Sequence, residues 1–199
     1  YQPSRGLGDV YKRQLLQNGK IDDPFFRLNE HKLQWIDKLD WEYRTSFDIN
    51  DSHYNYKAIE LDFFGLDTYA DVFLNDSLIY SSENMFIGKT VNVKKKIKKG
   101  KNNLLVKFKS PIDVGIEKYD KLGYRLPDNA NDLSEIGKVL DNKKVGVFER
   151  KAPYSFGWDW GPRLVTTGIW RPIKINFWNN FQIKDLHFTQ KIEDDNALI

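Results

Sequence analysis

Nine consecutive residues alternate without a break. Trp41, Tyr43, Thr45, Phe47 and Ile49 fall on one side, and Glu42, Arg44, Ser46 and Asp48 on the other. A period of two suits an extended strand, whose successive side chains point to opposite faces. One apolar and one charged side make it a half-buried strand with a wet face. Ile59, Leu61 and Phe63 repeat the pattern, and Leu104, Val106 and Phe108 alternate with Leu105, Lys107 and Lys109. Ala70, Val72 and Leu74 run into Asn75-Asp76, a pair that tolerates positive φ and so predicts a tight hairpin turn, with Ser77 to Tyr80 returning. Trp170 to Trp178 reads as a further strand with Pro172 near its start, as at a sheet edge. Phe181 to Gln190 is also strand-like. Short strands separated by turns predict an all-β chain, an antiparallel sandwich or barrel.

Two short helices are expected beside the strands. Asn29 is placed to cap a turn carrying Leu33, Ile36 and Leu39. Asp132 and Glu135 stand at capping-box spacing before Ile136, Val139 and Leu140, although Gly137 weakens that segment. The stretch from Pro111 to about Arg150 reads as a long irregular connection, a kind that more often carries function than not. Residues 1–14, YQPSRGLGDVYKRQ, show neither a helical nor a strand period and no apolar run of signal-peptide type. They read as a foreign or disordered lead-in, the alternative being a native flexible terminus.

The aromatic load, 13 Phe, 10 Tyr and 6 Trp, supplies enough ring surface for a packed core and excludes general disorder. No apolar run approaches the roughly 20 residues of a membrane-spanning helix, so no membrane partner is expected. The net charge is +3, and six lysines crowd into positions 94–101. A run that leads straight into a turn and a strand reads as a solvated strand edge kept from pairing, so no nucleic acid is expected either. The absence of cysteine excludes disulfides and thiol chemistry. His31, His53 and His187 lack ligand spacing, so no metal is expected.

Gly157-Trp158-Asp159-Trp160-Gly161-Pro162-Arg163 concentrates two indoles, a carboxylate and a guanidinium between glycines. An indole can lie against the C–H face of a sugar while a carboxylate accepts from vicinal hydroxyls. The same residues also suit a turn whose indoles plug the end of the sandwich and whose Asp and Arg pair. Both readings stand on residue types alone. No nucleophile triad, phosphate-cradling loop or metal spacing appears, and no pair of carboxylates stands out as glycosidase machinery.

Four segments carry a resemblance: LLQNGKIDDPFFRLNEHKLQWIDKLDWEYRTSF, FFGLDTYADVFLND, KKGKNNLLVKFKSP and RKAPYSFGWDWGPRLVTTGIWRPIKI. In this order, over most of residues 15–178, the chain resembles the amino-terminal domain of β-mannosidases of glycoside hydrolase family two. The GWDWGPRL…GIWRP block favours that branch over β-galactosidases and β-glucuronidases. The resemblance implies a jelly-roll, galactose-binding-like antiparallel β-sandwich over residues 15–180 that lacks its beginning. Residues 181–199 would be the first strand of a following immunoglobulin-like domain. A (β/α)₈ barrel would come next, carrying two catalytic glutamates that act with retention and no cofactor.

On that basis the chain carries no catalytic residue and is expected to be inactive alone. Asn29-Glu30 belongs to the sandwich and is not the family's asparagine–glutamate acid/base. Trp158 and Asp159 match the loop that helps line the pocket for terminal mannose, with Trp160 and Arg163 as possible loop support. The implied partners are β-mannoside oligosaccharides and the missing immunoglobulin-like and barrel domains. The alternative is a free-standing carbohydrate-binding module.

Overall fold

The structure, a computed structural model, describes residues 10–134, 143–193 and 196–198. Helix α1 (Val10–Gln17) comes first, then the single turn α2 (Asn29–Lys32) and a 3₁₀ turn at Ile36–Lys38. Strand β1 (Trp41–Ile49) leads through the turn α3 (Asp51–Tyr54) into β2 (Ala58–Phe63), β3 (Leu66–Asp67), β4 (Tyr69–Leu74) and β5 (Ser77–Glu83). Then come β6 (Lys89–Asn92), β7 (Gly100–Phe108) and the helix α4 (Pro111–Leu122). Further along the chain, β8 (Gly168–Ile169) and β9 (Ile173–Trp178) complete the body, and β10 (Lys191–Glu193) pairs with β11 (Asn196–Leu198).

Two antiparallel sheets face each other. One has the order β1-β7-β4-β5 and the other β6-β2-β9, with β3 and β8 as a small separate pair. The alternating residues meet between the sheets. Ile49, Val72, Leu74, Val106 and Phe108 from the first pack on Ile59, Leu61, Phe63 and Val93 from the second. Each such side chain, once buried, contributes about 1.5–3 kcal/mol. The chain is thus an antiparallel β-sandwich, as the period of two predicts.

The turn between β4 and β5 has φ of 49° at Asn75 and 65° at Asp76, both left-handed, as the residue pair predicts. The Asn75 side chain also ties the turn down. Its Nδ2 donates to the Asn102 side chain at 2.8 Å, and its Oδ1 accepts from Asn103 N at 3.0 Å. β9 is an edge strand starting directly after Pro172.

Several expectations need correcting. Asn29 does not cap α2: it is the first residue of the turn, Leu28 stands at the cap position with no side-chain cap bond, and the Asn29 side chain instead donates to Asp23 O at 3.0 Å. Leu33 and Ile36 are nevertheless buried, with Leu15 of α1 packed against them. Of the segment 1–14, in which the sequence shows no period, residues 10–14 are helical as the start of α1. The connection after Pro111 begins as a twelve-residue helix with Ser110 as N-cap, its side chain accepting from Asp113 N at 3.1 Å, and with left-handed Gly123 ending it. The helix expected over Ile136, Val139 and Leu140 lies outside the described residues.

Lys94, Lys95 and Lys96 lie on a turn between buried Val93 and Ile97, Lys98 and Lys99 follow on irregular backbone, and Lys101 lies within β7, opposite Asp48 of β1. Phe181 to Gln190 is not a strand. Phe181, Ile183, Leu186 and Phe188 are exposed and the segment pairs with no strand among the described residues; apolar alternation alone does not make a strand.

Candidate functional site

The Trp158–Arg163 loop rests on a second, smaller core. Phe156 and Val165, one on each side of the loop, pack with Ile112 of α4 and Val145. A 3₁₀ turn at Pro153–Phe156 delivers the chain to Gly157, whose φ of 136° favours glycine. The close approach there is as demanding as the angle: a Cβ on Gly157 would stand 2.3 Å from the Asn131 carbonyl oxygen. The segment around Asn131 therefore lies directly against the loop. Leu133 N donates to Phe156 O at 2.9 Å to hold it there.

Beyond Gly157 the side chains separate by character. Trp158 is 41% exposed and Trp160 is 83% exposed, with their rings edge to face and centroids 5.9 Å apart. Asp159 is exposed between them, and its Oδ1 accepts from Asn131 Nδ2 at 2.6 Å. Among the described residues its Oδ2 accepts no hydrogen bond. Arg163 turns the other way and is buried. Its Nη2 donates to Asp37 Oδ2 at 2.6 Å, its Nη1 to Gln34 Oε1, and its Nε to Leu133 O at 2.7 Å. Asp159 and Arg163 do not pair, and neither indole plugs the sandwich. The loop presents two rings and a carboxylate outward on a buried cationic anchor.

A second polar cluster, which no motif in the sequence marks, lies around Asp67. Lys151 and Asp67 form a buried ion pair, and Thr166 Oγ1 donates to Asp67 Oδ2 at 2.6 Å. Burial pushes the Glu149 carboxyl up to about 7; the Tyr69 hydroxyl and the Lys118 and Lys151 ammonium groups pull it back down, and Asp67 raises it again. Burial likewise raises the Tyr69 hydroxyl, helped by Glu149 and Glu83. Both carboxyls are enclosed, Asp67 at 1% and Glu149 at 8% exposure.

Two further features bear on ligands. An apolar cleft of about 320 Å³ opens between β1 and β9, lined by Tyr43, Phe47, Leu61, Val106, Ile169 and Ile175. Arg44, Thr45 and Lys174 also contribute to its lining, but its surface is mainly apolar. Among the described residues, no group of three or more His, Asp or Glu is placed to hold a metal ion.

The family model for the glycosyl hydrolase 2 galactose-binding-like domain matches residues 4–171. The chain belongs to this family. As a galactose-binding-like domain of that family it is similar to a protein described as a probable β-mannosidase in Caenorhabditis elegans, with 35% identity over 91% of this chain and 20% of that protein. It is similar to the β-mannosidase of Mus musculus at 31% identity, over 87% of this chain and 19% of that protein. The crystal structure of a β-D-mannosidase from Dictyoglomus thermophilum superposes with a TM-score of 0.82 at 38% identity, covering 92% of this chain and 21% of that one. An exo-chitosanase from Amycolatopsis orientalis shares the fold, with a TM-score of 0.63 at 21% identity, over 94% of this chain and 18% of that one. The chain spans about a fifth of the length of the curated relatives it matches.

Gln34, Asp37 and Asn131 are parts of the site that residue types did not reveal. Gln34 and Asp37 lie within the first resembling segment, whereas Asn131 carries no sequence signal.

Proposed function

We propose that this chain is the amino-terminal domain of a retaining, exo-acting β-mannosidase that removes terminal non-reducing β-D-mannose from oligosaccharides. In this reading Trp158 and Asp159 line the sugar pocket, and Trp160 and Arg163 support the loop. The catalytic glutamates lie on a barrel domain elsewhere in the complete protein. The observation that carries the reading is the outward-facing Asp159, with one oxygen uncommitted, between two exposed indoles. A carboxylate so placed accepts from sugar hydroxyls, and an indole wall beside it covers the apolar ring face. The similarity to β-mannosidases supplies the sugar, mannose. The boundary near residue 180 belongs to the same reading: past it the apolar side chains from Phe181 to Phe188 stand in solvent, as a segment entering an adjoining domain would.

The test is the substitution Asp159→Ala in the complete enzyme. Losing a hydrogen bond to a charged group, about 2–3 kcal/mol, lowers kcat/KM for an aryl β-mannoside roughly 30- to 150-fold with the fold intact. Unchanged kinetics would remove the loop from the pocket. The 199 residues by themselves should not turn over that substrate.

A further inference from the structure

We propose that Asn131 is the positioning residue for Asp159, fixing one carboxylate oxygen so that the other is aimed at the sugar; this rests on the reading of Asp159 above. The hydrogen bond from Asn131 Nδ2 to Asp159 Oδ1 is 2.6 Å long and joins residues 28 apart in sequence. A carboxylate only accepts, so the amide must turn its nitrogen toward it. That choice has a chemical consequence. A neutral amide orients the carboxylate without cancelling its charge, whereas a guanidinium would take both oxygens. The only cation on the loop, Arg163, is withheld from Asp159 by its buried pairing with Asp37.

Asn131 is itself held by backbone contacts rather than by chance surface pairing. Its N–H donates to the Asn129 side chain at 2.9 Å, and its carbonyl lies against Gly157 at the root of the loop. Two residues on, Leu133 is bound by N–H to Phe156 and by carbonyl to Arg163, one partner on each side of Trp158–Asp159. Asp132 between them is buried, its Oδ2 accepting from Gly146 N at 2.9 Å. Residues 131–134 thus form a strap sewn to both ends of the loop. The Asn131 amide is the point where the strap touches a group facing outward. Orientation fixed before the substrate arrives is binding energy that need not be spent on ordering.

The experiment uses the complete enzyme and an aryl β-mannoside, with Asn131→Ala, Asp159→Ala, the double variant and the isosteric Asn131→Asp. Asn131→Ala should lower kcat/KM about tenfold, and the double variant should be no worse than Asp159→Ala alone. Asn131→Asp sets two carboxyl groups against each other. Its activity relative to the parent should fall below that of Asn131→Ala at pH 8 and recover toward pH 5, where protonation of one carboxyl relieves the repulsion. Should Asp159→Ala be impaired while Asn131→Ala is silent, or multiplies the loss in the double variant, positioning is overturned and the sugar contact stands. Should Asp159→Ala itself be silent, the sugar contact fails and positioning with it. If Asn131→Ala does not fold, Asn131→Asp decides alone: a pH profile parallel to the parent's overturns the proposal.

Discussion

Replacing Arg163 by methionine removes the guanidinium and keeps most of the side-chain length. It leaves Asp37 buried at 2% exposure without the cation that its Oδ2 faces at 2.6 Å. The other oxygen, Oδ1, has no hydrogen-bond partner among the described residues, so that cation is its principal compensation. Breaking one side of a buried ion pair costs about 3–5 kcal/mol, because the remaining charge stays desolvated. The acceptors on Gln34 and Leu133 lose their donor as well, which places the expected loss toward the upper part of that range. For a domain of this size each kcal/mol moves the midpoint by about 2–4 °C, so the loss corresponds to a Tm lower by roughly 8–20 °C. The assay is thermal unfolding of the complete protein followed by tryptophan fluorescence. The compensating variant Arg163→Met with Asp37→Leu removes both charges, and replacing a buried pair by apolar groups is close to neutral. It should therefore recover most of the lost stability. A single variant shifted by less than about 2 °C, or a double variant less stable than the single, would refute the reasoning.

Two other perturbations follow from the same geometry. The Glu149 carboxyl titrates near 7 in the fold against an ordinary value of 4.5, so its contribution to stability is complete below about pH 4.5 and is lost as pH rises through 7. That loss amounts to about 3 kcal/mol, and Glu149→Gln should raise Tm at pH 8 and leave it nearly unchanged at pH 4.5. An equal gain at both values would contradict the assignment. Gly157→Ala drives a methyl group to 2.3 Å from the Asn131 carbonyl and strains a backbone at φ 136°. It should displace the strap, lowering kcat/KM at least as far as Asn131→Ala does; parent-like kinetics would show that the contact is not needed.

What was legible in the sequence is what short-range physics encodes. The period of β1, the positive φ at Asn75-Asp76 and the edge position of Pro172 each follow from a few adjacent residues, and each is found where expected. Helix α4 is encoded as well, by Ser110-Pro111, Asp113 and Gly123, although Gly115 in its middle lowers the helix propensity. The structure gives that glycine a reason: a Cβ there would come within 2.6 Å of the Val145 side chain. Pairing across long separations leaves no such mark. Arg163 meets Asp37 across 126 residues, and nothing nearby distinguishes that partner from Asp159, four positions away. The same holds for Asn131, whose contact exists only because the strap folds back on the loop. Phe181 to Phe188 failed in the opposite sense, since alternation makes a strand only where an edge is there to receive it.

The central claim is that Trp158 and Asp159 face a bound sugar, and it is tested most directly by the crystal structure of the complete enzyme with a mannose-configured inhibitor. The account predicts Asp159 Oδ2 within about 3.2 Å of a sugar hydroxyl, with the Asn131 bond to Oδ1 retained and the Trp158 ring against the sugar. A sugar held in the pocket with neither side chain in contact would contradict it.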